Sequence, residues 1–185
     1  EGANECGVEK FIFASSGGTV YGNPEELPCP EDHPHMPLSP YGMSKLVAER
    51  YLDMYYRQHR LNFVSLRYAN VYGPRQDTEG QTGVISVFAR AMIEKKRPTI
   101  YGTGEQEKDF VYVEDAVDAN ILAMERGEGK TYNIGTGMGT SVNRIFELLS
   151  EILAYKWKPT YSPARPGDVA KIILDNSKAV KELNW

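Results

Sequence analysis

The chain has 185 residues, 41% of them hydrophobic and 11% aromatic, enough to build a substantial core in one domain or somewhat more. A formal charge of -4 without any cluster of Lys and Arg excludes a nucleic-acid footprint, and the Arg57 to Arg60 stretch reads as a solvated helix end. No apolar run approaches the roughly 20 residues of a membrane span, no signal peptide opens the sequence, and Cys6 and Cys29 have neither zinc nor disulfide spacing, so a cytoplasmic protein with free thiols and no membrane partner is expected.

Taken in order, the predicted elements alternate strand and helix, which argues for a parallel sheet with covering helices. Glu1 to Gly7 reads as the tail of a helix, Phe11 to Phe13 as a strand. Between them and the next helix, His33 and His35 flank Pro34 beside Glu31 and Asp32; without further partners at zinc spacing they read as a polar loop, and no metal is expected. Pro40 to about Gln58 is a helix, Asn62 to Arg67 a strand, and Gly83 to about Lys95 a helix with Val84, Val87, Phe88, Ala91 and Met92 on its buried face. Thr99 to Tyr101 and Asp109 to Val113 are strands, Glu114 to about Arg126 is helical, and Thr131 to Ile134 is extended. Ser141 caps a helix through Ile152, Lys158 to Tyr161 and Val169 to Leu174 are extended, and Asp175 caps a last helix.

The chemistry points to Tyr41-Gly42-Met43-Ser44-Lys45. Ser39-Pro40 makes a helix start, with Ser as N-cap and Pro at the first helical position, so Tyr41 and Lys45 stand one turn apart on one face. A free phenol, with a pKa of about 10, is a poor base at neutral pH, and a neighbouring ammonium favours the phenolate. Upstream, the apolar run Phe11-Ile12-Phe13 ends in Ser15-Ser16, and open α/β sheets bind ligands at the carboxyl ends of their strands. Ser16 is thereby expected to share a substrate oxygen with Tyr41. Tyr-x-x-x-Lys alone is a weak signal on a surface helix; the hydroxyl-bearing strand end gives it context.

Several runs then resemble one family. Phe-Ile-Phe-Ala-Ser-Ser-Gly-Gly-Thr-Val-Tyr-Gly at 11 to 22, Ser-Pro-Tyr-Gly-Met-Ser-Lys at 39 to 45 and Arg-Tyr-Ala-Asn-Val-Tyr-Gly-Pro-Arg-Gln at 67 to 76 look like the extended short-chain dehydrogenases/reductases that act as nucleotide-sugar epimerases and dehydratases. Gly102 to Gln106, Asp109 to Val113, Tyr132 to Gly135 and Arg165-Pro166-Gly167-Asp168 follow in the family's order, so the resemblance covers nearly the whole chain. It implies an α/β fold, the C-terminal part of a Rossmann-type parallel sheet in residues 1–76 with a smaller α/β substrate-binding lobe in 77–185 whose segments return to the sheet.

The resemblance also implies NAD as cofactor, with Ser15, Tyr41, Lys45 and Tyr68 around it, and Ser16, Tyr41 and Lys45 as the catalytic set. It makes a UDP-sugar the partner, held by Asn70, Lys108, Arg165 and Asp168 with Val84, Ile85, Phe88 and Tyr101 around the uracil and ribose, in a homodimer when full length. Lys108 departs from the family's arginine and offers a point charge in place of a fork. Dehydratases carry an Asp-Glu pair where this chain has Gly17-Gly18-Thr19, so epimerisation at C4 through a 4-keto sugar is preferred to water elimination. The 77 to 85 run also looks more like bacterial and archaeal UDP-glucose 4-epimerases than UDP-glucuronate decarboxylases. Other reactions of the family and a non-catalytic NAD-binding regulator are the alternatives. No Gly-rich strand-turn-helix precedes Phe11, and Gly135-Thr136-Gly137-Met138-Gly139 comes too far downstream to replace it. The sequence is therefore expected to be a segment of a longer enzyme, inactive and unable to titrate NAD by itself.

Overall fold

The computed structural model describes residues 1–77 and 83–185; the 78–82 part of the epimerase-like run lies outside the described residues. The first half of the chain comprises α1 (Gly2–Glu5), β1 (Lys10–Ser16), α2 (Gly17–Val20), α3 (Pro40–His59), β2 (Asn62–Tyr68), β3 (Asn70–Tyr72), α4 (Val84–Ile93) and β4 (Thr99–Tyr101). Then follow β5 (Glu107–Tyr112), α5 (Val113–Glu125), β6 (Lys130–Ile134), β7 (Gly139–Ser141), α6 (Val142–Ile152), β8 (Thr160–Ser162), β9 (Lys171–Ile172) and α7 (Ser177–Leu183).

The fold is a mixed α/β arrangement with parallel sheets. One sheet has the order β1-β2-β6, all parallel, and its register sets Ser15 opposite Arg67 and Ser16 opposite Tyr68. Side chains alternate along a strand, so Arg67 and Tyr68 serve opposite faces. α3 covers the Arg67 face. On the other, α5 lays Ala119 and Ala123 against Val64, Leu66, Tyr132 and Ile134, and α7 adds Ala179 and Leu183. Small alanines let the helix approach the strands closely, and each fully buried Leu or Val contributes about 1.5–3 kcal/mol.

The second sheet is built around β5, which pairs in parallel with β3 and β9 and antiparallel with β7. A further parallel pair, β4 with β8, lies beside α4 and α6, whose Phe88, Met92, Val142 and Ile145 enclose Ile100 and Tyr155. The β2-β3 connection is a single residue, Ala69, so the chain steps from one sheet to the other directly beyond the hydroxyl-bearing end of β1.

Four local expectations differ from the structure. Gly17–Val20 is a short helix, unforeseen because two glycines argue against one; Gly17 is needed there, since a Cβ would lie 2.5 Å from Leu174 Cδ1. β3 and β7 are set by pairing with β5 rather than by local pattern. Within Val169 to Leu174 only Lys171–Ile172 is a strand; Leu174 instead bridges Cys29. The last helix takes Asn176 as its N-cap, one residue later than expected, while the Asp175 carboxylate accepts from Ser177 N at 2.9 Å.

Candidate functional site

Ser39 Oγ accepts from Gly42 N at 3.1 Å, capping α3 with Pro40 in its first turn. Such a cap is worth about 1 kcal/mol and fixes where the helix begins. Gly42 lies against α2: a Cβ there would come within 2.7 Å of the Thr19 carbonyl oxygen. The small residue after Tyr41 therefore lets the start of α3 sit on α2, which itself begins at the serines of β1.

Tyr41 is 55% exposed, with its ring open to a ligand. Lys45 Nζ stands 5.5 Å from the Tyr41 ring centroid and donates to the Ala14 carbonyl at 2.8 Å. An ammonium has three donors, so that bond leaves others available to ligand hydroxyls. Ser16 and Tyr41 line one cavity of about 360 Å³, together with Thr19, Asn70, Gln76, Lys108 and Asp168. A neighbouring cavity of about 270 Å³ shares Asn70, Val71, Gly83, Lys108 and Asp168 with the first and continues between Val84, Ile85, Phe88, Tyr101 and Arg165. The two adjoin as one cleft, hydroxyl-lined at one end and largely apolar at the other, with Lys108 in the wall they share.

The cationic stretch is ordered by its neighbours. Lys108 Nζ donates to Asp168 Oδ1 at 3.0 Å and to the Val169 carbonyl. Asn70 Nδ2 donates to the Asp109 carbonyl at 3.1 Å. Asp168 N donates to the Arg165 carbonyl at 3.3 Å across Pro166 and Gly167, the latter at φ +77, which makes the tight turn expected of Pro-Gly. The Arg165 guanidinium lies 3.9 Å from the Tyr101 ring centroid. Asp168 thus pairs with Lys108, while Arg165 lies on the aromatic face.

The side chains of two residues expected at the cofactor do not line the cleft. Ser15 is buried and donates its hydroxyl to Glu49 Oε1, since the alternation that aims Ser16 at the cleft turns Ser15 under α3. Tyr68 lines neither cavity; it packs on the α5 face beside Ile12 and Leu122, where burial raises its phenol pKa against a bond from Asn120. The Gly135 to Gly139 turn offers no phosphate cradle: Thr136 N, Thr136 Oγ1 and Gly137 N all donate to the buried Asp109 carboxylate. The His33 and His35 rings pack on Tyr21.

The structure also brings forward residues that sequence reasoning passed over. Thr19 and Gln76 line the cavity that holds Ser16 and Tyr41, and their Oγ1 and Oε1 atoms are buried without a hydrogen-bond partner among the described residues. The position of Thr19, in place of the dehydratase acid pair, was the available signal. Beneath the cavity, Glu49 and Arg67 form a buried 2.6 Å ion pair, and Tyr21 Oη accepts from Arg67 at 2.7 Å and donates to Asn133 Oδ1.

Residues 1–135 match the NAD dependent epimerase/dehydratase family, and the chain belongs to it. The UDP-glucose 4-epimerase of Mycolicibacterium smegmatis is 39% identical over 186 residues, 100% of this chain and 59% of that protein. Among solved structures, the UDP-glucose 4-epimerase of Thermotoga maritima with UDP-glucose superposes with a TM-score of 0.97 at 48% identity, covering 99% of this chain and 60% of its own. The Thermus thermophilus UDP-glucose 4-epimerase complex with NAD gives a TM-score of 0.91 at 38% identity, over 97% and 59%. The chain thus spans about three fifths of the length of these relatives.

Proposed function

We propose that this chain carries the catalytic hydroxyls and the sugar-nucleotide cleft of an NAD-dependent epimerase that inverts C4 of a UDP-hexose. The observation that carries the reading is the continuous cleft from Ser16 and Tyr41, past Asn70 and Lys108, to Arg165 and Tyr101. Its order, hydroxyls first, then Lys108, then Arg165 and Tyr101, suits a hexose, a diphosphate and a nucleoside in that sequence. Relatives named for the same reaction support it.

NAD, held through Tyr41 and Lys45, supplies the hydride acceptor and donor. Tyr41 takes the proton from the sugar O4 and later returns it, with the Lys45 ammonium 5.5 Å from its ring centroid. Ser16 donates to the same oxygen. Lys108 and Arg165 hold the diphosphate through charge-assisted bonds, and Asn70 adds an amide. After the 4-keto sugar has turned over, O4 regains its proton from Tyr41 in the opposite configuration. Assembly as a homodimer belongs to the same reading and rests on the family alone.

Epimerisation is favoured over dehydration because the cavity around Tyr41 holds Thr19 where elimination would need an acid. Among the described residues its one lining carboxylate, Asp168, is paired with Lys108. The test is to incubate the full-length protein with UDP-glucose and separate the sugar nucleotides. UDP-galactose is expected; a 4-keto-6-deoxy product, or no product, would refute the assignment.

A further inference from the structure

Stability alone does not account for the charges buried under the cavity. The Glu49–Arg67 pair is 2.6 Å long, with side chains 6% and 5% exposed, and pairs of this kind can often be replaced by packed apolar side chains without loss. What sets it apart is the set of elements it fastens together. Arg67 Nε reaches both Glu49 oxygens, at 3.0 and 3.2 Å, while Nη1 donates to Tyr21 Oη at 2.7 Å and to the Glu31 carbonyl at 3.0 Å. The same carboxylate accepts the Ser15 hydroxyl. Burial works to raise the Glu49 pKa, but the hydrogen bonds and charge of Arg67, with Ser15, hold it below the ordinary value; the carboxylate stays ionised.

The attachments form a register. Ala14 and Ser15, consecutive on β1, are held by Lys45 and Glu49, one turn apart on α3. The next residue of β1 is Ser16, and the preceding turn of α3 carries Tyr41; both line the reaction cavity. Two directional contacts therefore fix how far the end of β1 can slide or rotate against α3. An apolar contact would tolerate such sliding, because the hydrophobic effect has no direction.

We propose that Glu49, locked in place by Arg67, is a positioning residue that sets the separation between the Ser16 and Tyr41 hydroxyls. The inference rests on the reading of those two hydroxyls as the proton-transfer pair. A misplacement of about 1 Å at such a pair can cost about a hundredfold in rate.

Ser15→Ala in the full-length protein is the direct test, since it cuts one tie and leaves the ion pair intact. Its kcat on UDP-glucose should fall about tenfold or more with KM within about threefold of the parent, the mark of an interaction used in the transition state. A double variant, Glu49→Met with Arg67→Met, should melt at or above the parent temperature yet show the same loss of kcat. Parental kcat in Ser15→Ala, or recovery of both stability and kcat in the double variant, would overturn the proposal. Crystal structures of parent and Ser15→Ala give a readout independent of turnover: a change beyond about 0.5 Å in the Ser16 Oγ to Tyr41 Oη separation is expected, and an unchanged separation would also overturn it. A parent unable to epimerise UDP-glucose would count against the proposed function, while that separation would still judge the positioning role.

Discussion

Removing the Arg165 guanidinium should weaken nucleotide binding without disturbing the chemistry at C4. In the structure Arg165 lies over Tyr101 at 3.9 Å, an exposed cation–π contact worth about 0.5–1 kcal/mol. Turning to a diphosphate forfeits that contact and gains a charge-assisted hydrogen bond of about 1.5–3 kcal/mol. The difference, about 0.5–2.5 kcal/mol, corresponds to a roughly two- to seventyfold rise in the dissociation constant of UDP for Arg165→Ala. Lys108 cannot compensate fully, because Asp168 already holds one of its donors. Calorimetric titration of the full-length variant with UDP reads the affinity, and single-turnover reduction of bound NAD with saturating UDP-glucose reads the chemistry. An unchanged UDP affinity would refute the clamp and leave Arg165 a surface residue stacked on an aromatic ring.

Gly42→Ala should lower turnover by at least tenfold, because a Cβ 2.7 Å from the Thr19 carbonyl must push α3 off α2 and carry Tyr41 with it; steady-state kinetics beside a thermal melt would check it. Burial first, then the Arg67 charge, lowers the His35 pKa to about 4, so its neutral form is favoured by folding; that contribution is intact above the unfolded value near 6.5 and is lost as pH falls from there toward 4. His35→Phe should accordingly flatten the decline of melting temperature across that window, and an identical decline would show that other groups cause it. Asp109→Asn should destabilise by about 1–3 kcal/mol for each donor left unpaired among Thr136 N, Gly137 N and Leu174 N, measured by denaturant unfolding.

Local signals were legible wherever the cause is local. Ser39-Pro40 marks the start of α3 because capping and a fixed proline φ act within one turn, and Arg165-Pro166-Gly167-Asp168 makes its turn because glycine accepts a positive φ. Tyr41 and Lys45 stand one turn apart for the same reason. What sequence could not supply depends on partners far along the chain. Ser15 and Ser16 look alike until α3 covers one face of β1 and sends the first hydroxyl to Glu49. Asp168 pairs with a lysine 60 residues away rather than with the arginine in its own turn. β3 and β7, three residues each, are strands only because β5 lies between them. The Glu49–Arg67 pair joins a helix to a strand, and nothing at either position alone announces a buried charge.

Whether Tyr41 moves the proton at the sugar O4 is decided by Tyr41→Phe in the full-length protein, with turnover of UDP-glucose and content of bound NAD measured on the same preparation. The aromatic ring is kept and only the hydroxyl is lost, so kcat should fall about a hundredfold to ten-thousandfold with NAD still bound. Turnover equal to the parent would contradict it.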